Sequence, residues 1–88
     1  MNMLLSFHEM RDSLNGEQIL KKAGFPCILD TAPRSLGPCC VYVIRTESDE
    51  AGPLADMLES AGIDFFKIFR CSEVGDTEEY ILIGGRYE

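Results

Sequence analysis

The chain contains no tryptophan, a single histidine and no run of basic residues. Eight Lys and Arg stand against 15 Asp and Glu, for a net charge of −7. Polyphosphate backbones and anionic membrane surfaces reward clustered positive charge, so neither nucleic acid nor a membrane is expected as the main partner. No stretch approaches the ~20 apolar residues that a membrane helix needs. The opening MNMLLSFHEMRD has too short an apolar core, and no basic flank, for a secretory signal. A cytoplasmic location with reduced thiols is therefore expected. No CxxC or CxxxC spacing occurs, which removes the usual basis for a structural zinc site; no metal and no cofactor is expected. His8 is the only histidine, and a lone histidine at a strand end reads as structural or solvent-facing. A Cys-His hydrolase has no second member to build on.

What is present suits one small domain spanning residues 1–88. The chain is 45% hydrophobic and 26% charged, an ordinary globular composition. At this length about 60–65% of the unfolded surface can be buried, enough for one modest core, which a dimer interface could supplement.

Met3 to Phe7 reads as a first strand. EMRDSLNGEQILKKAG follows, with Met10, Leu14, Ile19, Leu20 and Ala23 as an imperfect helical stripe. Lys21, Lys22 and then Gly24 suit a helix C-terminus. Gly16 costs the helix roughly 0.5–1 kcal/mol relative to alanine, which close packing on a sheet would offset. Phe25 to Thr31 reads as a second strand. Pro33, Gly37 and Pro38 break the next segment, and Cys39 to Thr46 is the clearest strand. SDEAGPLADMLESAG forms a second helix with Leu54, Met57, Leu58 and Ala61 on one face. Pro53 confines its start to near Glu50–Gly52. Ile63 to Cys71 is expected as a fourth strand, SEVGDTE as a polar loop and EYILIG as a fifth strand. KKAGFPCIL and ESAGIDFFKI form a half-echo, each running helix, Ala-Gly, strand.

The order β-α-β-β-α-β plus a C-terminal strand predicts an α+β fold. The expected form is a ferredoxin-like sandwich, one antiparallel sheet with both helices on one face. The other face is expected to hold alternate residues from the set Tyr42, Phe65, Phe69 and Tyr80, selected by the register. The fifth strand is expected to form a hairpin with the fourth or to pair across a homodimer.

The four cysteines are Cys27, Cys39, Cys40 and Cys71. Consecutive Cα atoms lie about 3.8 Å apart, below the usual ~4.4–6.8 Å of a disulfide, so a Cys39–Cys40 bridge would be strained. In a strand the two would point to opposite faces, leaving one as a candidate working thiol and the other as packing. Arg34 precedes them across a turn that could return its guanidinium and lower a thiol pKa. Arg45 would sit about 16–17 Å from Cys40 along an extended strand, too far for direct activation. Cys27 reads as core. Cys71 reads as a strand end, exposed, and a candidate relay thiol.

The run from "GEQILKKAGFP" through "TAPRSLGPCCVYVIR" to "LESAGIDF" and "FKIFR" resembles the selenium/sulfur carrier-like family of small bacterial domains, over about residues 3 to 70. The matching positions are Pro33, Arg34, Cys40 and Arg45. Gly37-Pro38-Cys39 replaces a serine-rich approach, Val41 stands where glycine is common, and a C-terminal strand is added. The resemblance implies a carrier whose Cys40, with Cys39 beside it and Pro33 and Arg34 framing it, holds sulfur or selenium as a persulfide or perselenide. Its partners would be donor and acceptor proteins. Such a protein is a stoichiometric carrier, not an enzyme with its own substrate pocket. The alternative is a non-catalytic regulatory or dimerisation module, which fold alone does not separate from a carrier. Soft-metal binding by the adjacent cysteines ranks last, since the expected CxxC loop is missing.

Overall fold

The computed structural model describes residues 2–36, 41–65 and 67–85. In chain order these form β1 (Met3–Phe7), α1 (Met10–Lys22), β2 (Cys27–Thr31), a short 3-10 turn (Arg34–Leu36), β3 (Tyr42–Thr46), α2 (Ala51–Ser60), β4 (Lys67–Val74) and β5 (Thr77–Gly85). The fold is α+β. All five strands form one antiparallel sheet in the order β2-β3-β1-β4-β5.

The half-echo has a structural cause. Each helix ends in an Ala-Gly whose glycine has positive φ, 96° at Gly24 and 73° at Gly62. After α1, the Phe25 N–H bonds the Leu20 carbonyl and the Gly24 N–H bonds that of Lys21. After α2, Ile63 bonds Leu58 and Gly62 bonds Glu59 in the same pattern. Both are Schellman closures, which satisfy the last carbonyls and fold the next apolar residue back onto the helix. Phe25 and Ile63 accordingly pack into the same cluster as Leu20 and Leu58.

That cluster lies between the sheet and both helices. Met3, Leu5 and Phe7 of β1 meet Ile44, Ile68, Leu20, Leu54 and Leu58, all essentially without exposure. The buried residues of α1 are Ser13, Gly16 and Leu20. Met10 and Leu14, expected inside, are half-exposed. The helix is rotated so that Gly16 faces the sheet, and a methyl added there would lie 3.2–3.3 Å from Phe7, Ile44 and Leu58. Close approach, rather than a continuous apolar stripe, sets the helix on its neighbours.

Among the described residues, no α-helix covers the second face. Leu4, Val43 and Phe69 are buried there, covered by Ala32, Leu36, Cys71 and Tyr80. Of the aromatics expected on this face, Phe69 and Tyr80 are present. Tyr42 and Phe65 instead join the helix-side core, because the observed register pairs Tyr42 with Phe7 and Phe65 precedes β4. The expected SEVGDTE loop shrinks to a turn at Gly75 and Asp76, since Val74 and Thr77 already pair. The fifth strand forms the hairpin with β4. Where the β1–β4 ladder ends, the Ser6 hydroxyl replaces it, accepting from the Lys67 N–H and donating to its carbonyl.

Candidate functional site

Cys39 and Cys40 lie outside the described residues, but both ends of the segment that carries them are fixed. The Ala32 N–H bonds the Val41 carbonyl at 3.0 Å, and the Val41 N–H bonds the Phe7 carbonyl at 3.2 Å. These bonds hold the two ends of the connection side by side at one end of the sheet. Within the connection, the Leu36 N–H bonds the Pro33 carbonyl, closing the 3-10 turn. Pro33 is partly buried and Arg34 is exposed. Leu36 anchors the turn by packing toward Leu4, Val43 and Phe69 on the helix-free face. Arg34 is thus presented to solvent on the connection that bears the two cysteines.

The other two thiols occupy environments that suppress reactivity. Cys27 is buried, its sulfur 3.5 Å from the Phe25 carbonyl and 3.7 Å from the Thr46 hydroxyl. Burial pushes its pKa up, against the Thr46 hydrogen bond. Cys71, expected exposed, is partly covered on the second face. Burial raises its pKa, and the nearby Glu78 carboxylate raises it further, with Arg45 in opposition. A thiol held protonated is a poor nucleophile at neutral pH. Both are free cysteines.

Arg45 pairs in register with Ile28 and Leu4, so its side chain lies on the second face. There its Nη1 donates to both Glu78 carboxylate oxygens, at 3.2 and 3.3 Å. Its Nε lies 3.8 Å from Asp30 Oδ2. The Tyr80 hydroxyl donates to the same Glu78 carboxylate. The Tyr80 hydrogen bond, assisted by Arg45 and opposed by partial burial, holds Glu78 below the usual carboxylate range. Burial and the bond to Glu78 raise the Tyr80 phenol. This clasp was not anticipated. Its halves lie 33 residues apart, and alternation places Arg45 and Glu78 on one face only once the register of all five strands is known.

Beside the clasp an open pocket of about 380 Å³ is lined by Leu36, Phe69, Glu78, Glu79, Tyr80 and Ile81. One wall therefore belongs to the cysteine-bearing connection and the opposite wall to β5. Among the described residues, no group of three or more His, Cys, Asp or Glu is placed to hold a metal, and no helix is long and apolar enough to cross a membrane.

The model of the family described as "Putative Se/S carrier protein-like" matches residues 2–70. The chain belongs to that family. No curated protein and no solved structure shows a significant match. The family match ends within β4, so Cys71, Glu78, Tyr80 and the whole of β5 lie beyond it.

Proposed function

We propose that the protein carries reduced sulfur or selenium on Cys40, receiving it from a donor protein and delivering it to an acceptor. The observation that carries this reading is the family match, which spans the whole Pro33–Arg45 segment. Two structural facts support it. The segment's ends are pinned by backbone hydrogen bonds, with Arg34 exposed between them. The two remaining thiols, Cys27 and Cys71, have raised pKa values, which leaves Cys39 and Cys40 as the thiols free to specialise. The strand order 2-3-1-4, with both helices on one face, is read as a ferredoxin-like core extended by β5.

The transfer step follows thiol-exchange chemistry. The Cys40 thiolate attacks the outer sulfur of a donor persulfide, R–S–SH. A Cys40 S–S bond forms, the donor S–S bond breaks, and the donor departs as a thiolate. No net oxidation occurs. Delivery repeats the step with an acceptor thiolate, and selenium follows the same course through R–S–SeH. The protein is consumed and regenerated stoichiometrically, and a carrier that works as a reduced thiol suits a cytoplasmic setting. Cys39 acts as the neighbour that packs or flanks the working sulfur.

The test is persulfide transfer. After treatment with a persulfide donor, intact mass should rise by one sulfur atom in the wild type and in Cys39→Ser, and stay unchanged in Cys40→Ser. Loading that persists in Cys40→Ser assigns the chemistry elsewhere. Absence of loading in all forms leaves the non-catalytic module as the function.

A further inference from the structure

The two edges of the sheet are finished differently. On one side, β2 has five residues, follows Pro26 and carries Asp30, and short, charged or proline-flanked edges resist strand addition. On the other side, β5 runs from Thr77 to Gly85, nine residues without lysine, arginine or proline. Its backbone pairs only with β4, and among the described residues no backbone hydrogen bond joins its outer edge to any other segment. Three consecutive residues of this edge, Ile81, Leu82 and Ile83, are 53%, 40% and 37% exposed. With its charges confined to Glu78 and Glu79 and its bulge confined to Ile83, the stretch from Tyr80 to Leu82 is an apolar edge, a template for another strand.

We infer that the occupant is a second copy of this chain, joined through antiparallel β5–β5 pairing into a continuous ten-stranded sheet. The distribution of charge along the strand selects this partner. Glu78 and Glu79 lie in its first half, and the apolar residues and Gly84 in its second. A two-fold axis at Ile81 sets Ile81 against Ile81, Tyr80 against Leu82, Glu79 against Ile83 and Glu78 against Gly84. No acid faces an acid. Tyr80 and Leu82 both belong to the helix-free face, through their pairing with Cys71 and Phe69, so this register keeps these side chains on their own face up to the bulge at Ile83, where pairing with β4 passes from Leu82 to Gly84. Parallel pairing in register would stack Glu78 and Glu79 on their own copies, which like-charge repulsion disfavours. A strand end shared by two copies also sets the two pockets beside Tyr80 next to the interface.

The experiment is the oligomeric state of the full chain, measured by light scattering and sedimentation under reducing conditions at about 100 µM, a range in which specific dimers persist. The wild type should have twice the monomer mass. Ile81→Lys combined with Ile83→Lys should be monomeric with an unchanged far-ultraviolet spectrum. Met10→Lys with Leu14→Lys, on the exposed side of α1, should remain dimeric. A monomeric wild type, a dimer that survives the β5 substitutions, or a dimer lost only on α1 would overturn the proposal. Should the β5 variant fail to fold, hydrogen exchange of the wild type decides the matter. Protection of amides 78–83 should rise with protein concentration, and concentration-independent exchange would contradict β5 pairing.

Discussion

The sheet has two faces made from the same strands and stabilised in different ways. On the helix side, β1 contributes Met3, Leu5 and Phe7 to a dry cluster that two helices seal. On the other side, alternate residues of the same strands supply three buried apolar side chains, against which, among the described residues, Ala32, Leu36, Cys71 and Tyr80 pack. There the cover is tied down by charge, through Arg45, Glu78, Asp30 and Tyr80. The difference teaches where stability and function separate. The helix side supplies the burial energy, while the helix-free side holds the cysteine-bearing connection through Leu36 and leaves a pocket beside it.

The largest effects of substitution should therefore fall on the helix side. Leu58→Ala empties a fully buried position between helix and sheet and should cost about 2–5 kcal/mol in urea unfolding. Overpacking tests the same layer from the other direction. At Gly16, valine must displace three neighbouring side chains, for about 1–3 kcal/mol. Alanine should fall within about 1 kcal/mol of the wild type, because gained helix propensity offsets its crowding. If Gly16→Val is neutral, α1 does not sit as closely on the sheet as the structure places it.

Breaking the clasp should matter less. Its groups are partly solvated, with Arg45 24% and Glu78 31% exposed. A double-mutant cycle of Arg45→Ala and Glu78→Ala should return a coupling of about 1 kcal/mol or less. The pH dependence has a definite sign. The folded pKa of Glu78 is depressed, so its contribution is fully present above the unfolded value of about 4.3 and is lost as pH falls through the lower folded value. Wild type and Glu78→Gln should thus differ above pH 5 and converge in acid. A difference that grows on acidification would contradict the clasp.

The two faces were also unequally legible in the residues themselves. A short apolar run marked β1 to the residue, β-branched and aromatic content placed β3, apolar spacing placed both helices closely, and the Ala-Gly half-echo marked where each helix ends. The helix-side core misled in one respect. Met10 and Leu14 looked like core positions, yet Ser13 and Gly16 are buried instead, because tight backbone approach outweighed hydrophobic periodicity. On the other face, which of Tyr42, Phe65, Phe69 and Tyr80 would lie there depended on register, since one residue of register moves an aromatic through the sheet, and only the strand pairing selects Phe69 and Tyr80. SEVGDTE looked like a loop because it is polar, but an exposed hairpin end needs no apolar residues. The Arg45–Glu78 clasp had no local signature at all. Of the candidate site, the block from Pro33 to Arg45 stood out through its composition. The suppression of Cys27 and Cys71 emerged only from three-dimensional burial and from the placement of Glu78.

Whether Cys39 and Cys40 are the thiols left for chemistry is read most directly from the labelling rate of each cysteine in the folded protein at pH 7. Cys40 or Cys39 should be alkylated first, with Cys27 and Cys71 at least about tenfold slower because burial holds them as thiols. If Cys71 or Cys27 is modified first, or if Cys39 and Cys40 both resist until the protein unfolds, the carrier reading is contradicted.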